Sequence, residues 1–229
     1  MIGITFALPS ESSGLVRRLQ QVQKRDNLLS GKIDNRDVTI LHTGVGAKNC
    51  NARLEVLLHK MRPRLVISSG FAGAVAGELR VGNLILAENF SDPKLLATAA
   101  QILSGENPHR VKLFTSTSIV DSVAERNEIA RASGAAAVDM ETGAVAAVCH
   151  AHGVPLLSLR AISDSAREPF PMPPSVLFYI ERQRTNYGTL IFCLLRDPTS
   201  IPRLFRFGRE IARARANLTG AIFALIREL

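Results

Sequence analysis

The chain has 229 residues, 46% of them hydrophobic, and no low-complexity tract. This fits one globular domain over residues 1–229 and sets aside a disordered or repetitive polymer. Its longest apolar runs, such as residues 190–195, are far too short to span a membrane, and three widely spaced cysteines (Cys50, Cys149, Cys193) argue against a disulfide scaffold or a Cys-based zinc site. A net charge of +8 asks for an anionic partner without naming it: nucleic acid, anionic lipid or an anionic small molecule.

Ile2-Gly3-Ile4-Thr5-Phe6-Ala7-Leu8 reads as a buried strand that Pro9 and Ser10 end. It is too short, and too poor in basic residues ahead of it, for a secretion leader; with the odd cysteine count it suggests a reducing, cytoplasmic setting. Glu11 follows, and Ser12 or Ser13 is placed to cap a helix carrying Leu15, Val16 and Leu19. Residues 28–33 and 38–43 flank Asp34-Asn35-Arg36-Asp37 as a hairpin would. Thr43-Gly44-Val45-Gly46 opens a helix over about residues 47–61. The third glycine of a dinucleotide fingerprint is absent and Lys48 lacks the P-loop spacing, so the pattern alone reads as a tight turn.

Residues 64–69 form another apolar strand, ending in Gly70-Phe71-Ala72-Gly73-Ala74. These glycines serve either chain reversal or a close backbone approach to a ligand. A strand over 81–88, a helix over 92–103, a strand over 111–115, a polar turn at 116–118 and a short helix over 123–132 follow. Strands alternating with helices predict an α/β fold of three layers, a central mixed and twisted sheet with helices on both faces.

Val138-Asp139-Met140-Glu141-Thr142-Gly143 puts two carboxylates where a buried strand gives way to a helix. An acidic helix start is one reading. The other comes from position: residues 156–162 form a strand ending in Ser163-Asp164-Ser165, and Glu11 follows the first strand. Three acids beyond the carboxyl ends of three strands is where an open α/β sheet binds its ligand. His150 and His152 are two apart on an expected helix and point in different directions. His42, His59 and His109 have no partner spacing, so no metal site is expected.

Taken together, Ala7-Leu8-Pro9-Ser10-Glu11, Thr43-Gly44-Val45-Gly46, Ser69-Gly70-Phe71-Ala72-Gly73, Val138-Asp139-Met140-Glu141 and Arg160-Ala161-Ile162-Ser163-Asp164 resemble the nucleoside phosphorylase superfamily. Within it they are similar to the nucleosidases acting on 5′-methylthioadenosine and S-adenosylhomocysteine. The resemblance implies hydrolysis of an N-glycosidic bond with release of adenine, no cofactor, and a homodimer. It implies that Asp164 protonates N7 of the leaving base, with Ser163 orienting it, and that Glu11 holds the attacking water. Glu141 would accept the ribose hydroxyls, Met140 would pack on the sugar, and Arg160 would steady the carboxylates. Gly70 and Phe71 would line the pocket, although Phe71 stands where these nucleosidases commonly carry a small polar residue.

A carboxylate at Glu11 disfavours phosphate as the nucleophile, while Arg17 and Arg18 keep a phosphorylase open as the alternative. A non-catalytic nucleoside-binding protein is a third reading. Nucleic acid is set aside, because no interleaved aromatic and basic pattern supports single-strand binding. Beyond Glu88 only Asn89-Phe90-Ser91 precede Asp92-Pro93, a shorter excursion than in the nucleosidases, implying an open 5′ end. After the proline-rich stretch at 169–174, residues 175–183 and 187–195 read as helices. Residues 201–225 carry apolar residues at helical spacing with Arg206, Arg209 and Arg213 on a neighbouring face. This tail resembles the hopanoid-associated branch of the superfamily, which releases adenine from adenosylhopane. It is either an ordinary core helix or one that also rests on an anionic membrane.

Overall fold

The computed structural model describes residues 1–167, 178–179, 184–185 and 201–229. In chain order its elements are β1 (Ile2–Phe6), α1 (Pro9–Val16), β2 (Gln20–Arg25), β3 (Leu28–Ile33), β4 (Arg36–His42), α2 (Ala47–Met61), β5 (Val66–Ala74), β6 (Leu84–Ala87), α3 (Pro93–Ile102), β7 (His109–Val111), β8 (Leu113–Thr115), α4 (Val123–Ser133), β9 (Ala137–Asp139), α5 (Thr142–Ala151), β10 (Leu156–Asp164), the small pair β11 (Phe178–Tyr179) and β12 (Arg184–Thr185), and α6 (Ile201–Glu228).

The main sheet runs β2-β3-β4-β1-β5-β10-β6-β7, and β8 and β9 branch from it through β5. Its centre is parallel: β1 pairs with both β4 and β5, and β5 with β10. These strands are covered on both faces, so β1 and β10 are buried at every residue rather than at alternate ones. Alternate residues serve opposite layers. On β10, Leu157, Leu159 and Ala161 face the layer built with Leu15, Leu96, Leu218, Ile222 and Leu225 of α1, α3 and α6. Leu156 faces the other layer, built with Leu54, Leu57 and Leu58 of α2 and Val145 and Val148 of α5. Helices thus cover both faces, as the pattern predicts. Each of these leucines contributes roughly 1.5–3 kcal/mol by leaving water.

Several local expectations change; the strand expected over 111–115, for one, is split between β7, which pairs with β6, and β8, which pairs with β9. The strand expected to end at Ser69 continues through Gly70 to Ala74, because β10 pairs with it as far as Gly73 and β9 pairs with Gly73 and Ala74. The glycines are therefore sites of close approach within a strand, not a chain reversal. Helix α1 starts at Pro9 rather than after Ser12, so Glu11 lies in its first turn. The helix expected over 175–183 is contradicted at Phe178–Tyr179, which pairs antiparallel with Arg184–Thr185; aromatic residues and threonine favour extended pairing. The helix expected over 187–195 lies outside the described residues. Sequence patterning gives no sign of β2, Gln-Gln-Val-Gln-Lys-Arg, which is exposed throughout, an edge strand with no apolar face to betray it.

Because β1, β5 and β10 are parallel, their carboxyl ends lie at one rim of the sheet. That rim receives Glu11 from the turn after β1, Glu141 from the turn after β9, and Asp164 from the end of β10.

Candidate active site

The first carboxylate is held by backbone. Leu8 N–H donates to Glu11 Oε2 at 2.8 Å and Phe71 N–H donates to Oε1 at 3.0 Å. This contact requires Gly70. A Cβ there would lie 2.9 Å from Glu11 Oε1 and 3.0 Å from Arg160 Nη1, and the residue sits at φ +149°. Burial raises the Glu11 carboxyl above its ordinary value, opposed by those two N–H groups and by the positive field of Arg160. Phe71 thus meets the site through its N–H, while its side chain packs against the core.

The second carboxylate begins α5. Gly46 N–H donates to Glu141 Oε1 at 3.3 Å, tying the start of α5 to the start of α2. Burial first, and then the negative charge of Asp139, push the Glu141 carboxyl up to about 7, while Arg160 pulls against them. Met140 is half-buried between these two acids in sequence.

Asp139 is an anchor for its neighbours. It accepts Thr142 N–H at 3.1 Å, the Thr142 and Thr115 hydroxyls, and Arg160 Nε at 3.1 Å. Arg160, only 3% exposed, also donates from Nη2 to Ser68 Oγ at 2.8 Å and Thr142 Oγ1 at 2.6 Å. Its Nε and Nη2 are thus engaged with the protein, beside the carboxylates. A charge buried this deeply is tolerated because it is paired and hydrogen-bonded.

The third carboxylate has a partner that the sequence did not disclose. Arg126 of α4 is 1% exposed and forms an ion pair with Asp164. It also donates to the carbonyls of Ala74 at 2.8 Å, Val120 at 2.9 Å and Ser165 at 3.1 Å. Ser163 donates its hydroxyl to the other oxygen, Oδ1. In a regular strand, neighbours 163 and 164 would point to opposite faces; the β5–β10 register shifts between Ile162 and Asp164, and both are buried at the rim. Burial raises the Asp164 carboxyl above the ordinary carboxylate range, and Arg126 and Ser163 pull it back. Gly73 makes room for the pair: a Cβ there would lie 2.9 Å from Asp164 Oδ2 and 3.0 Å from Arg126 Nη2. Arg126 sits among Glu125, Asn127 and Glu128 in a polar helix, so nothing in its neighbourhood marks it as interior.

Glu11, Glu141, Asp164, Ser163, Arg160 and Gly70 thus share one rim. Arg17 and Arg18 do not join them: both are exposed, and Arg18 lies 4.9 Å over the ring of Phe223.

Comparison with known proteins bears on this arrangement. The model of the phosphorylase superfamily matches residues 1–92 and 88–186. The chain belongs to this superfamily. A 5′-methylthioadenosine/S-adenosylhomocysteine nucleosidase of Staphylococcus aureus (strain bovine RF122 / ET3-1) is 28% identical over 198 residues, covering 72% of this chain and 87% of that protein. Among solved structures, Streptococcus pneumoniae MTA/SAH nucleosidase in complex with 8-aminoadenine superposes with a TM-score of 0.76 at 23% identity, covering 100% of this chain and 99% of the other. The futalosine hydrolase of Helicobacter pylori superposes with a TM-score of 0.75 at 17% identity, covering 100% and 97%. At these identities the superpositions establish the fold, a superfamily sheet with helices on both faces.

Proposed function

We propose that this protein hydrolyses the N-glycosidic bond of a 5′-substituted adenosine and releases adenine. The observation that carries the reading is the convergence of Glu11, Glu141 and Asp164, three separately supported carboxylates, on one rim. A buried aspartate with a raised pKa suits protonation of the base at N7, which makes adenine a better leaving group. As the bond breaks the sugar becomes cation-like, and the carboxylates of Glu141 and Glu11 stabilise it. Glu11 orients the attacking water. Ser163 and Arg126 hold Asp164, and Arg160 holds Asp139 beneath the acids. The relatives, a nucleosidase and a hydrolase, support the same reaction type.

Water is favoured over phosphate because Glu11 would repel an anion, and the nearest arginines in sequence, Arg17 and Arg18, are exposed. The turn from Glu88 to Asp92 is short and tied down: Asn89 exchanges two hydrogen bonds with Leu113 at 3.0 and 2.9 Å, and Ser91 Oγ bonds Ala87 O at 2.7 Å. A turn so closed supplies no lid over the 5′ end, which favours a bulky 5′ group of the adenosylhopane type beside 5′-methylthioadenosine and S-adenosylhomocysteine. Among the described residues no helix is long and apolar enough to cross a membrane. Contact of the α6 arginines with an anionic membrane surface, and assembly as a homodimer, complete the proposal; liposome sedimentation at low salt and light scattering test each. The central experiment is free adenine released from the three substrates with and without phosphate. Phosphate-independent release supports a nucleosidase; release only with phosphate, as a sugar 1-phosphate, overturns it.

A further inference from the structure

Helices α2 and α5 begin at the rim, where Gly46 and Glu141 are hydrogen-bonded, and run side by side away from it. Residues 46–59 span about 20 Å at 1.5 Å per residue. At the far ends of this pair three metal-ligating side chains meet. Glu55 and His59 lie one turn apart on α2, and His152 is the C-cap of α5. The His152 Nε2 is 2.6 Å from Glu55 Oε2, the His59 Nε2 is 3.7 Å from the same oxygen, and the two imidazoles stand edge to face at 5.0 Å. One ligand atom from each residue falls within 4.8 Å of the other two.

We propose that Glu55, His59 and His152 form a site for a divalent transition ion, Zn²⁺ by preference. Two imidazoles and a carboxylate are borderline donors that suit Zn²⁺, Ni²⁺ or Cu²⁺; Ca²⁺ and Mg²⁺ take oxygen ligands. Three protein ligands leave the fourth tetrahedral position to water. Tetrahedral bonds near 2.1 Å separate ligand atoms by about 3.4 Å. The 2.6 Å contact therefore has to open slightly and the widest separation to close. The His59 side chain, 72% exposed, is free to turn. The scaffold is firm: Leu54, Leu57 and Leu58 of α2 pack on Val145, Val148 and Cys149 of α5 directly beneath. His59 lies in the last turn of α2 and His152 caps α5, so the negative ends of two helix dipoles face the ion. The ion would staple the distal ends of the two helices whose starts meet at Glu141. Spacing alone hides the site, because the second imidazole comes from another helix and the i,i+4 partner of His59 is a glutamate.

The test is calorimetric titration of the metal-stripped protein with ZnCl₂, alongside its thermal midpoint. Wild type is expected to bind one Zn²⁺ per chain and to melt at a higher temperature with it. His59→Ala and His152→Ala are expected to lose at least about tenfold in affinity and the thermal response. Glu55→Gln, which keeps the shape, is expected to weaken binding too, and adenine release without added metal is expected to match wild type in all three, showing that they fold. No 1:1 binding by wild type overturns the site. Undiminished binding by the histidine variants places the ligands elsewhere and overturns it as well.

Discussion

Arg126 is the residue whose replacement tests the acid assignment most directly. Asp164 has to carry a proton in order to give one, and the guanidinium against it favours the ionised form. A pair of unit charges 4 Å apart is worth about 4 kcal/mol at an effective dielectric near 20, or about three pKa units. Reorganisation and water entering the vacated space reduce this, but Arg126→Met should still move the Asp164 carboxyl upward, because the positive charge that pulls it down is gone. The assay is the pH profile of kcat/KM for adenine release. The alkaline limb, where Asp164 loses its proton, should shift to higher pH in Arg126→Met and stay near wild type in Arg126→Lys, which keeps the charge. Stability should fall by about 3–5 kcal/mol in urea, because the change leaves a buried carboxylate unpaired along with the carbonyls of Ala74, Val120 and Ser165. An alkaline limb that does not move in a folded Arg126→Met protein would refute the assignment of that limb to Asp164.

Asp164→Asn should abolish turnover while calorimetry still detects a nucleoside analogue; wild-type turnover would remove the acid role. Gly73→Ala should lower kcat by at least tenfold, as its Cβ would sit 2.9 Å from Asp164 Oδ2 and press on the Arg126 pair; a steady-state assay at saturating substrate decides it. Glu141→Gln should alter the pH dependence of stability. The folded carboxyl titrates at about 7 against an ordinary 4.5, so the native state holds the proton more tightly than the unfolded chain. The stabilisation from that proton is complete below the lower value and is lost as pH rises through the upper one. By pH 8 the glutamine protein should be the more stable by up to about 3 kcal/mol, read as thermal midpoints at pH 5 and 8; parallel curves would show that Glu141 titrates normally.

Much of this rim was legible in the sequence because strand ends and acids coincide along the chain. Glu11 follows the run Ile2–Phe6, and Asp164 ends the run beginning at Leu156. What the sequence hid was pairing between distant residues. Arg126 and Asp164 are 38 positions apart, and a buried arginine looks like a surface one when its helix neighbours are polar. For the glycines at 70 and 73 the pattern leaves chain reversal and close approach to a ligand open; the structure makes them strand residues whose neighbours are side chains of the protein itself. Nothing local reveals that β10 pairs alongside them. Edge strand β2 shows the converse limit: a strand with no buried side has no hydrophobic period to read.

The carboxylates at the rim do more than face a substrate. Each closes backbone N–H groups at a helix start or strand edge: Leu8 and Phe71 for Glu11, Gly46 for Glu141, Thr142 for Asp139. Without these side chains, the starts of α1, α2 and α5, with Arg160 behind them, would make a bowl of positive potential suited to a tetrahedral oxyanion. Side-chain negative charge opposes that field, which on the proposed function would suit a cation-like sugar. The opposing charge is carried by very few atoms, and at Glu11 by one carboxylate. Neutralising it, as in Glu11→Ala, frees the Leu8 and Phe71 N–H donors, and sulfate should then bind more tightly than to the native protein, as calorimetry would read. On the proposed reading, a pocket for water and one for an inorganic anion would then stand a single charge apart on the same backbone.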